Sequence, residues 1–310
     1  MVWVEVAVSA DAEAVEALAG LFRDFCHGGV AIEPTVQPLA EGGVVVDPAQ
    51  PVAVRGYIPA DGKERTKLRQ LKTATDHLSF VRPISRLRTR RVAEDDWAHA
   101  WKEHYQVLHL GRSLVIVPVW RRYNPGVGEL LIYLDPGMAF GTGLHPTTTM
   151  CLVELEKRVT AGAKVLDLGT GSGILAIAAA RLGARGVLAL DIDPVAASAA
   201  RSNVELNRLQ GIVQVVQGTI SSSGQITPDP SILGPTALPP FDLVVANIIA
   251  GVIVEMAPGL AAVLAREGML LASGIIAERE QEVCRALQEA GFAISESLHQ
   301  GDWVTLVSSR

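Results

Sequence analysis

The later half of the chain alternates between short apolar runs and segments of helical length, and this alternation constrains the fold most strongly. Apolar runs of strand length cover residues 165–168, 187–190 and 241–246, and a helical pattern follows each of them. Strands separated by helices predict a parallel sheet with crossover helices, and therefore an α/β fold. The last two runs, 293–298 and 303–307, have no helix between them, so we expect an antiparallel hairpin at one edge of the sheet.

The first part of the chain follows a different pattern. Valines alternate with other residues over 2–8, which predicts a strand, and a helical pattern then runs to about Cys26 before two glycines. Shorter strand patterns follow at 30–33, 43–46 and 52–58. Together they predict a small α+β unit with helices on one face of an antiparallel sheet.

These patterns predict three parts along the chain. Residues 1–62 form the small N-terminal domain, 63–110 a basic linker with a helix, and 111–310 the larger α/β domain. Within the larger domain, residues 221–240 contain five prolines together with several serines and glycines. Such a composition is typical of a loop, so we expect an exposed insertion there.

The clearest functional signal is a glycine turn that joins the first of the later strands to its helix. Gly169, Gly171 and Gly173 let the backbone turn tightly and let a ligand approach it. A dinucleotide-binding turn would need Gly or Ala at the position of Ile174. The spacing G-x-G-x-G after an acidic residue is instead that of methyltransferases, which predicts S-adenosylmethionine as the cofactor.

Polar residues also follow the two neighbouring strands. Asp191 lies 22 residues past Gly169 and ends the next strand, where a carboxylate can accept both ribose hydroxyls of a nucleoside. Asp193 precedes a proline, which predicts a helix cap rather than a ligand contact. Asn247 follows a buried strand at the edge where α/β sheets bind ligands. Its carbonyl oxygen can orient a substrate amine, although a loop-capping role is the alternative.

Charge is distributed unevenly along the chain. There are 27 Lys and Arg residues against 33 Asp and Glu, a net charge of -6, which argues against a protein that coats nucleic acid generally. Residues 63–91 nevertheless carry ten basic residues against Glu64 and Asp76, a local net of +8, which leaves -14 elsewhere. This segment is either a solvated helix and linker or a surface for an acidic or RNA-bearing partner. The ten basic residues are Lys63, Arg65, Lys67, Arg69, Lys72, Arg82, Arg86, Arg88, Arg90 and Arg91.

The three cysteines, Cys26, Cys151 and Cys284, are far apart, so the sequence predicts neither a metal site nor a disulfide framework. The first residues lack the basic region of a secretory signal. Apolar stretches stay well below the ~18 residues of a membrane span. We therefore expect a soluble cytoplasmic protein.

Three stretches together resemble the PrmA family, the methyltransferases of the eleventh large-subunit ribosomal protein. They are Asp135-Pro-Gly-Met-Ala-Phe-Gly-Thr-Gly-Leu-His-Pro-Thr-Thr148, the glycine turn with its helix, and Ala246-Asn-Ile-Ile249. The first is much more specific than any glycine turn. The resemblance covers roughly residues 95–310, and the first ninety residues match only in outline.

The resemblance implies a class I methyltransferase domain, with a Rossmann-like seven-stranded sheet, behind a small ferredoxin-like domain that recognises the substrate. It also implies N-methylation of lysine side chains, and often of the α-amine, on that ribosomal protein. The residues that it implies at the site are Thr148, Gly169, Asp191 and Asn247 as cofactor contacts, with Phe140, Gly141 and His145 as neighbours.

The expected chemistry is the attack of a neutral amine on the methyl group of the cofactor. Asn247 is the candidate for orienting the amine, and His145 is the one candidate general base, although a structural role is the more usual one for such a histidine. Three alternatives stay open: the same chemistry on another protein or on RNA, a nicotinamide oxidoreductase, which Ile174 disfavours, and a module that binds the cofactor without catalysis.

Overall fold

The structure is a computed structural model that describes residues 2–10, 12–26, 30–33, 36–38, 44–46, 50–93, 106–135, 145–227 and 233–310. Contacts within the chain divide it into two compact units, Met1–Gln106 and Val107–Arg310. No helix in these ranges is long and apolar enough to cross a membrane. The three cysteines are present as free thiols.

The first unit contains an antiparallel sheet with two helices. Its elements are β1 (Val2–Ala10), α1 (Ala12–Phe25), β2 (Val30–Glu33), β3 (Val36–Pro38), β4 (Val44–Val46), β5 (Val52–Pro59), α2 (Glu64–Leu78) and β6 (Arg88–Ala93). The strand order of the sheet is β2-β5-β1-β6. Val6 and Val8 pack with Leu18, Phe22 and Leu71 in one core, which places both helices on the same face of the sheet. The predicted small N-terminal sheet is therefore confirmed.

The basic segment is more than the predicted linker. It forms α2 and then β6, an edge strand that pairs with β1 and places Arg90 opposite Glu5. The sheet of the first unit therefore includes a strand from beyond residue 62. The helix predicted within residues 63–110, at residues 94–105, lies outside the described ranges.

The second unit contains helices, several short strands and a seven-stranded mixed sheet. Its elements are β7 (Leu108–Leu110), β8 (Leu114–Pro118), β9 (Leu130–Leu134), α3 (Pro146–Arg158), β10 (Lys164–Leu168), α4 (Ile174–Arg181), β11 (Gly186–Asp191), α5 (Pro194–Leu206), β12 (Val213–Gln217), β13 (Thr219–Ile220), β14 (Ile226–Thr227), β15 (Phe241–Asn247), α6 (Ala250–Val263), β16 (Leu264–Ile276), α7 (Glu280–Glu289), β17 (Ala293–Gln300) and β18 (Trp303–Ser309). The strand order is β12-β11-β10-β15-β16-β18-β17. The first five strands are parallel, and β18 and β17 are antiparallel to their neighbours, so the predicted class I fold and its edge hairpin are confirmed.

Strand β10 is the point where the order of the sheet reverses. The chain continues from β10 to β11 and β12 on one side, and then returns to place β15 on the other side. Helices cover both faces of such a sheet, so its central strands are buried on both sides, which explains their continuous apolar runs. Ligands bind at the carboxyl ends of the strands at this reversal, which draws attention to Gly169, Asp191 and Asn247.

The prediction that residues 221–240 form an exposed insertion is wrong for part of this segment. Ile226, Leu233 and Ala237 are buried and pack into the main core, and β14 pairs with β13 as a short antiparallel hairpin. The prolines and serines interrupt any regular apolar pattern, so the sequence gives no periodic sign of these buried positions. Residues 228–232 of the segment lie outside the described ranges.

Candidate functional site

The glycine turn after β10 has a backbone that side chains would disturb. Gly169, Gly171 and Gly173 have φ angles of 74°, 56° and 84°, which is the left-handed region. A Cβ atom on Gly169 would lie 2.3 Å from Cγ2 of Ile248, and one on Gly173 would lie 3.2 Å from Cα of Ala200. These glycines are therefore needed both for the conformation of the turn and for the close approach of its neighbours.

Asp191 lies beside this turn, at the carboxyl end of β11. Its Oδ2 accepts a hydrogen bond from the backbone N–H of Gly171 at 2.9 Å, and its Oδ1 accepts one from the N–H of Asp193 at 3.0 Å. A carboxylate offers about four lone-pair positions, so two backbone bonds orient it and leave capacity to accept hydroxyl groups. The side chain of Asp193 accepts the N–H of Val195 at 2.8 Å, which confirms its predicted role as the cap of α5.

Asn247 lies at the carboxyl end of β15 and contacts α3. Its Nδ2 donates a hydrogen bond to Oγ1 of Thr148, a buried residue in the first turn of that helix, at 3.3 Å. The next residue, Ile248, donates its backbone N–H to the carbonyl oxygen of Ser273 on β16 at 3.0 Å. Because the amide nitrogen of Asn247 faces Thr148, its carbonyl oxygen Oδ1 is the group that can accept a hydrogen bond from a ligand.

His145 caps α3. Its Nδ1 accepts the backbone N–H of Thr147 at 3.4 Å and lies 2.7 Å from the hydroxyl of the same residue. The imidazole ring packs edge-on against Trp303, with 4.8 Å between the ring centroids. Burial lowers the pKa of His145 to about 4. The ring is therefore neutral at pH 7 and is a weak base there.

Asp167, the acidic residue before the glycine turn, is a further residue of the site whose role the sequence does not indicate. It is fully buried, and its Oδ2 accepts hydrogen bonds from Oγ1 of Thr170 at 2.6 Å and from the N–H of Ala176 at 3.0 Å. Within the described chain, its Oδ1 has no hydrogen-bond partner. Burial raises the pKa of Asp167 to about 7, so this carboxyl joins the turn to the start of α4 and titrates near neutral pH.

Ile192 is a second residue that sequence reasoning missed. It directly follows Asp191 and is 72 % exposed, so this aliphatic side chain is available to a ligand that binds beside Asp191. The available signal was an isoleucine between two aspartates after a buried strand. Phe140 and Gly141 lie outside the described ranges, so the structure does not place them.

The arrangement brings together a glycine turn, an oriented carboxylate and an oriented amide oxygen. They lie at the carboxyl ends of β10, β11 and β15, which are adjacent in the sheet. The carboxylate suits ribose hydroxyls, the backbone of the turn suits a ligand that approaches closely, and the amide oxygen suits an amine. This combination fits a nucleoside cofactor beside a nitrogen substrate.

A family model described as "Ribosomal protein L11 methyltransferase (PrmA)" matches residues 2–310. The chain belongs to this family. The match also covers the first ninety residues, so our expectation that the resemblance is limited to residues 95–310 is too narrow. Membership confirms the predicted S-adenosylmethionine-dependent methyltransferase class and removes the nicotinamide oxidoreductase alternative.

Individual relatives match over nearly the whole chain. The ribosomal protein L11 methyltransferase of Chloroflexus aurantiacus is 45% identical over 321 residues, which cover 99% of this chain and 98% of the relative. The same enzyme of Pelotomaculum thermopropionicum is 43% identical over 318 residues, with 99% of both chains covered. A crystal structure of ribosomal protein L11 methylase from Lactobacillus delbrueckii subsp. bulgaricus is 37% identical, with a TM-score of 0.56, and covers 66% of this chain and 99% of that chain.

Proposed function

We propose that this protein transfers methyl groups from S-adenosylmethionine to amines of ribosomal protein L11. The proposed targets are lysine side chains, with the α-amine as a further target. The observation that carries the proposal is the orientation of Asn247 by Thr148, beside the glycine turn and Asp191. Because a ribosomal protein is the substrate, the proposed place of action is the cytoplasm.

The residues of the site fit the cofactor. We assign the cofactor contacts to the glycine turn, to the Asp191 carboxylate and to the Thr148–Asn247 pair. The left-handed backbone of the turn, with φ of 74° at Gly169, favours glycine, and Ile192 offers an apolar surface next to the proposed ribose position. The full proposed set is Thr148, Gly169, Gly171, Gly173, Asp191 and Asn247, together with Phe140 and Gly141.

Proton removal is the main chemical requirement on the substrate side. The cofactor supplies an electrophilic methyl group on a positively charged sulfur. An ordinary lysine has a pKa of ~10.4, so its deprotonation at pH 7 costs about 4.6 kcal/mol, against about 1 kcal/mol for an α-amine. A second cation beside the sulfur is disfavoured, which lowers the pKa of the bound amine. Asn247 Oδ1 would accept one N–H of the neutral amine and aim its lone pair, so alignment supplies most of the acceleration.

For His145 we propose the structural role. His145→Asn is expected to keep kcat within about twofold of wild type, because asparagine also caps helices well. A pKa of about 4 also predicts that the acid limb of the kcat/KM profile between pH 6 and 9 stays in place. Measuring that profile for both proteins checks this. A fall in kcat of about tenfold or more, together with a displaced limb, would instead identify His145 as a general base.

The function itself is tested by incubating the protein with tritiated S-adenosylmethionine and a ribosomal extract. Label in L11 at lysine or the N-terminal amine is the expected result. Label in another protein or in RNA would show the same chemistry on a different substrate. A protein that binds the cofactor in calorimetry but produces no label would be a binding module without catalysis.

For the domains we propose substrate recognition by the first unit, whose sheet extends beyond residue 62 to include β6, and methyl transfer by the second unit. The basic side chains of residues 63–91 are all exposed except Lys67, which is half-buried. Ion pairs among the described residues include Lys72–Asp76, Arg90–Glu5 and Arg91–Glu64. Phe80 at the end of α2 is 86 % exposed. We propose that this surface contacts phosphates of ribosomal RNA near the substrate.

Charge reversal tests the RNA contact. Arg65 and Arg69 lie one turn apart on α2, and Arg65→Glu with Arg69→Glu is expected to weaken binding to large-subunit ribosomal RNA and to flatten its salt dependence by about two units of slope. Fluorescence anisotropy titrations at salt concentrations between about 50 and 200 mM measure both the affinity for RNA and the slope of its salt dependence. A matched control reverses Arg201 and Arg285, which are exposed in the second unit. Equal losses in both pairs would contradict the proposed contact.

A further inference from the structure

A buried asparagine on α5 joins two separate segments of the second unit. Asn203 is 1 % exposed, and its Nδ2 donates to the carbonyl oxygens of Asp135 at 3.2 Å and Ser172 at 2.9 Å. Its Oδ1 accepts the backbone N–H of Asp135 at 2.9 Å. One side chain therefore bonds both to the residue that follows β9 and to the middle of the glycine turn.

Asn207, one turn later at the end of α5, makes a similar contact with the same strand. Its Nδ2 donates to the carbonyl oxygen of Tyr133 at 2.6 Å, and its Oδ1 accepts the N–H of Tyr133 at 2.9 Å. The backbone N–H and C=O groups of residues 133 and 135 lie on the same edge of the chain. The side-chain amides of Asn207 and Asn203 bond to these alternate residues much as a neighbouring strand would. The pair therefore attaches the end of β9 to α5.

The two asparagines differ in the contacts that their side chains make beyond β9 and Asp135. The Nδ2 of Asn203 donates to the carbonyl oxygen of Ser172 at 2.9 Å, whereas the Nδ2 of Asn207 donates to the backbone carbonyl oxygen of Asn203 at 2.8 Å. Ser172 lies between Gly171, whose N–H bonds to Asp191, and Gly173, which packs against Ala200 of α5. The turn is thus held from the side of β11 by Asp191 and from the side of α5 by Asn203.

We propose that Asn203 is a positioning residue for the cofactor. It holds the glycine turn in place relative to Asp135, the first residue of the Asp-Pro-Gly-Met-Ala-Phe-Gly motif, and it acts through the backbone rather than by touching the cofactor. The role rests on the proposed function, which assigns the turn to S-adenosylmethionine. Loss of the Asn203 amide removes the bond between α5 and the buried carbonyl of Ser172, so the turn is held less firmly relative to α5 and Asp135.

The test compares Asn203→Ala with Asn207→Ala in the full-length protein. Both variants lose buried hydrogen bonds to β9, so both are expected to unfold at a lower temperature in calorimetry. The Kd for S-adenosylmethionine is expected to rise by about tenfold in Asn203→Ala and to stay within about twofold in Asn207→Ala. With L11 as substrate, the KM for the cofactor should follow the same order, while kcat at saturating cofactor changes little.

The outcomes distinguish a positioning role of Asn203 from a general loss of stability of the fold. Unchanged cofactor affinity in Asn203→Ala, or an equal loss in both variants, would overturn the proposal. If Asn203→Ala does not fold, Asn203→Ser is measured by the same criterion, because its shorter hydroxyl cannot reach both carbonyl groups. A wild-type protein that fails to bind the cofactor would overturn the proposed function and the positioning role together. Normal wild-type binding with an unaffected Asn203 variant would overturn the positioning role alone.

Discussion

Asn247→Ala is expected to lower kcat for L11 methylation by about a hundredfold or more, whereas the Kd for S-adenosylmethionine should change by less than about threefold. The amide oxygen of Asn247 is the group that we assign to the orientation of the amine, so its loss affects the reacting nitrogen more than the bound cofactor. Single-turnover methylation measures the first quantity and calorimetry the second.

Thr148→Val provides the matched control for this prediction. The substitution removes the hydroxyl that accepts the Asn247 Nδ2 bond and keeps the shape of the side chain. The amide then has no fixed direction, so kcat should fall by about tenfold, less than on removal of the amide itself. Full turnover by Asn247→Ala with normal cofactor binding would show that this asparagine does not align the amine.

Asp191→Ala is expected to raise the Kd for S-adenosylmethionine by about a hundredfold. The carboxylate is oriented by two backbone N–H groups, and a hydrogen bond to a charged group contributes roughly 1.5–3 kcal/mol. Hydrogen bonds from two ribose hydroxyls to the Asp191 carboxylate would therefore contribute a large share of the affinity for S-adenosylmethionine. Calorimetric titration of the folded variant measures the change.

Asp193→Ala distinguishes cofactor binding from a local loss of structure. This neighbouring aspartate caps α5 through Val195, so its removal should cost about 1 kcal/mol of stability with little change in cofactor affinity. Thermal unfolding and calorimetry on both variants give the comparison. If Asp193→Ala weakened binding as much as Asp191→Ala does, the effect would come from the shape of the loop rather than from the ribose contact.

The parts of the fold that sequence could predict depend on local chemistry. The central sheet could be predicted because buried parallel strands need continuous apolar runs. The turn after β10 could be predicted because its positive φ angles favour glycine. The helix cap at Asp193 follows from its place before a proline. In each case the residue type is dictated by its own neighbours in sequence.

Other features depend on which distant groups meet, and these escaped prediction. Nothing in the sequence near Asn203 indicates that its amide bonds to the carbonyl of a turn 31 residues earlier. The buried positions Ile226 and Leu233 were hidden among prolines and serines. Pairing of β6 with β1 joins residues more than eighty positions apart, so a charged segment that looks like a linker by composition proves to be an edge strand.

The carboxyl ends of β10, β11 and β15 meet where the order of the sheet reverses, and this affects when the site forms during folding. Each strand ends at one part of the site that we propose, and parallel neighbours are joined only through long crossovers, which form slowly because of their loop-closure entropy. An isolated hairpin or helix of this chain is therefore expected to bind the cofactor much more weakly than the completed sheet. Affinity arises when the three strands have paired, so cofactor binding stabilises only the completed sheet, by mass action on the folded state. We therefore expect binding of S-adenosylmethionine to report that the central sheet of the second unit is complete.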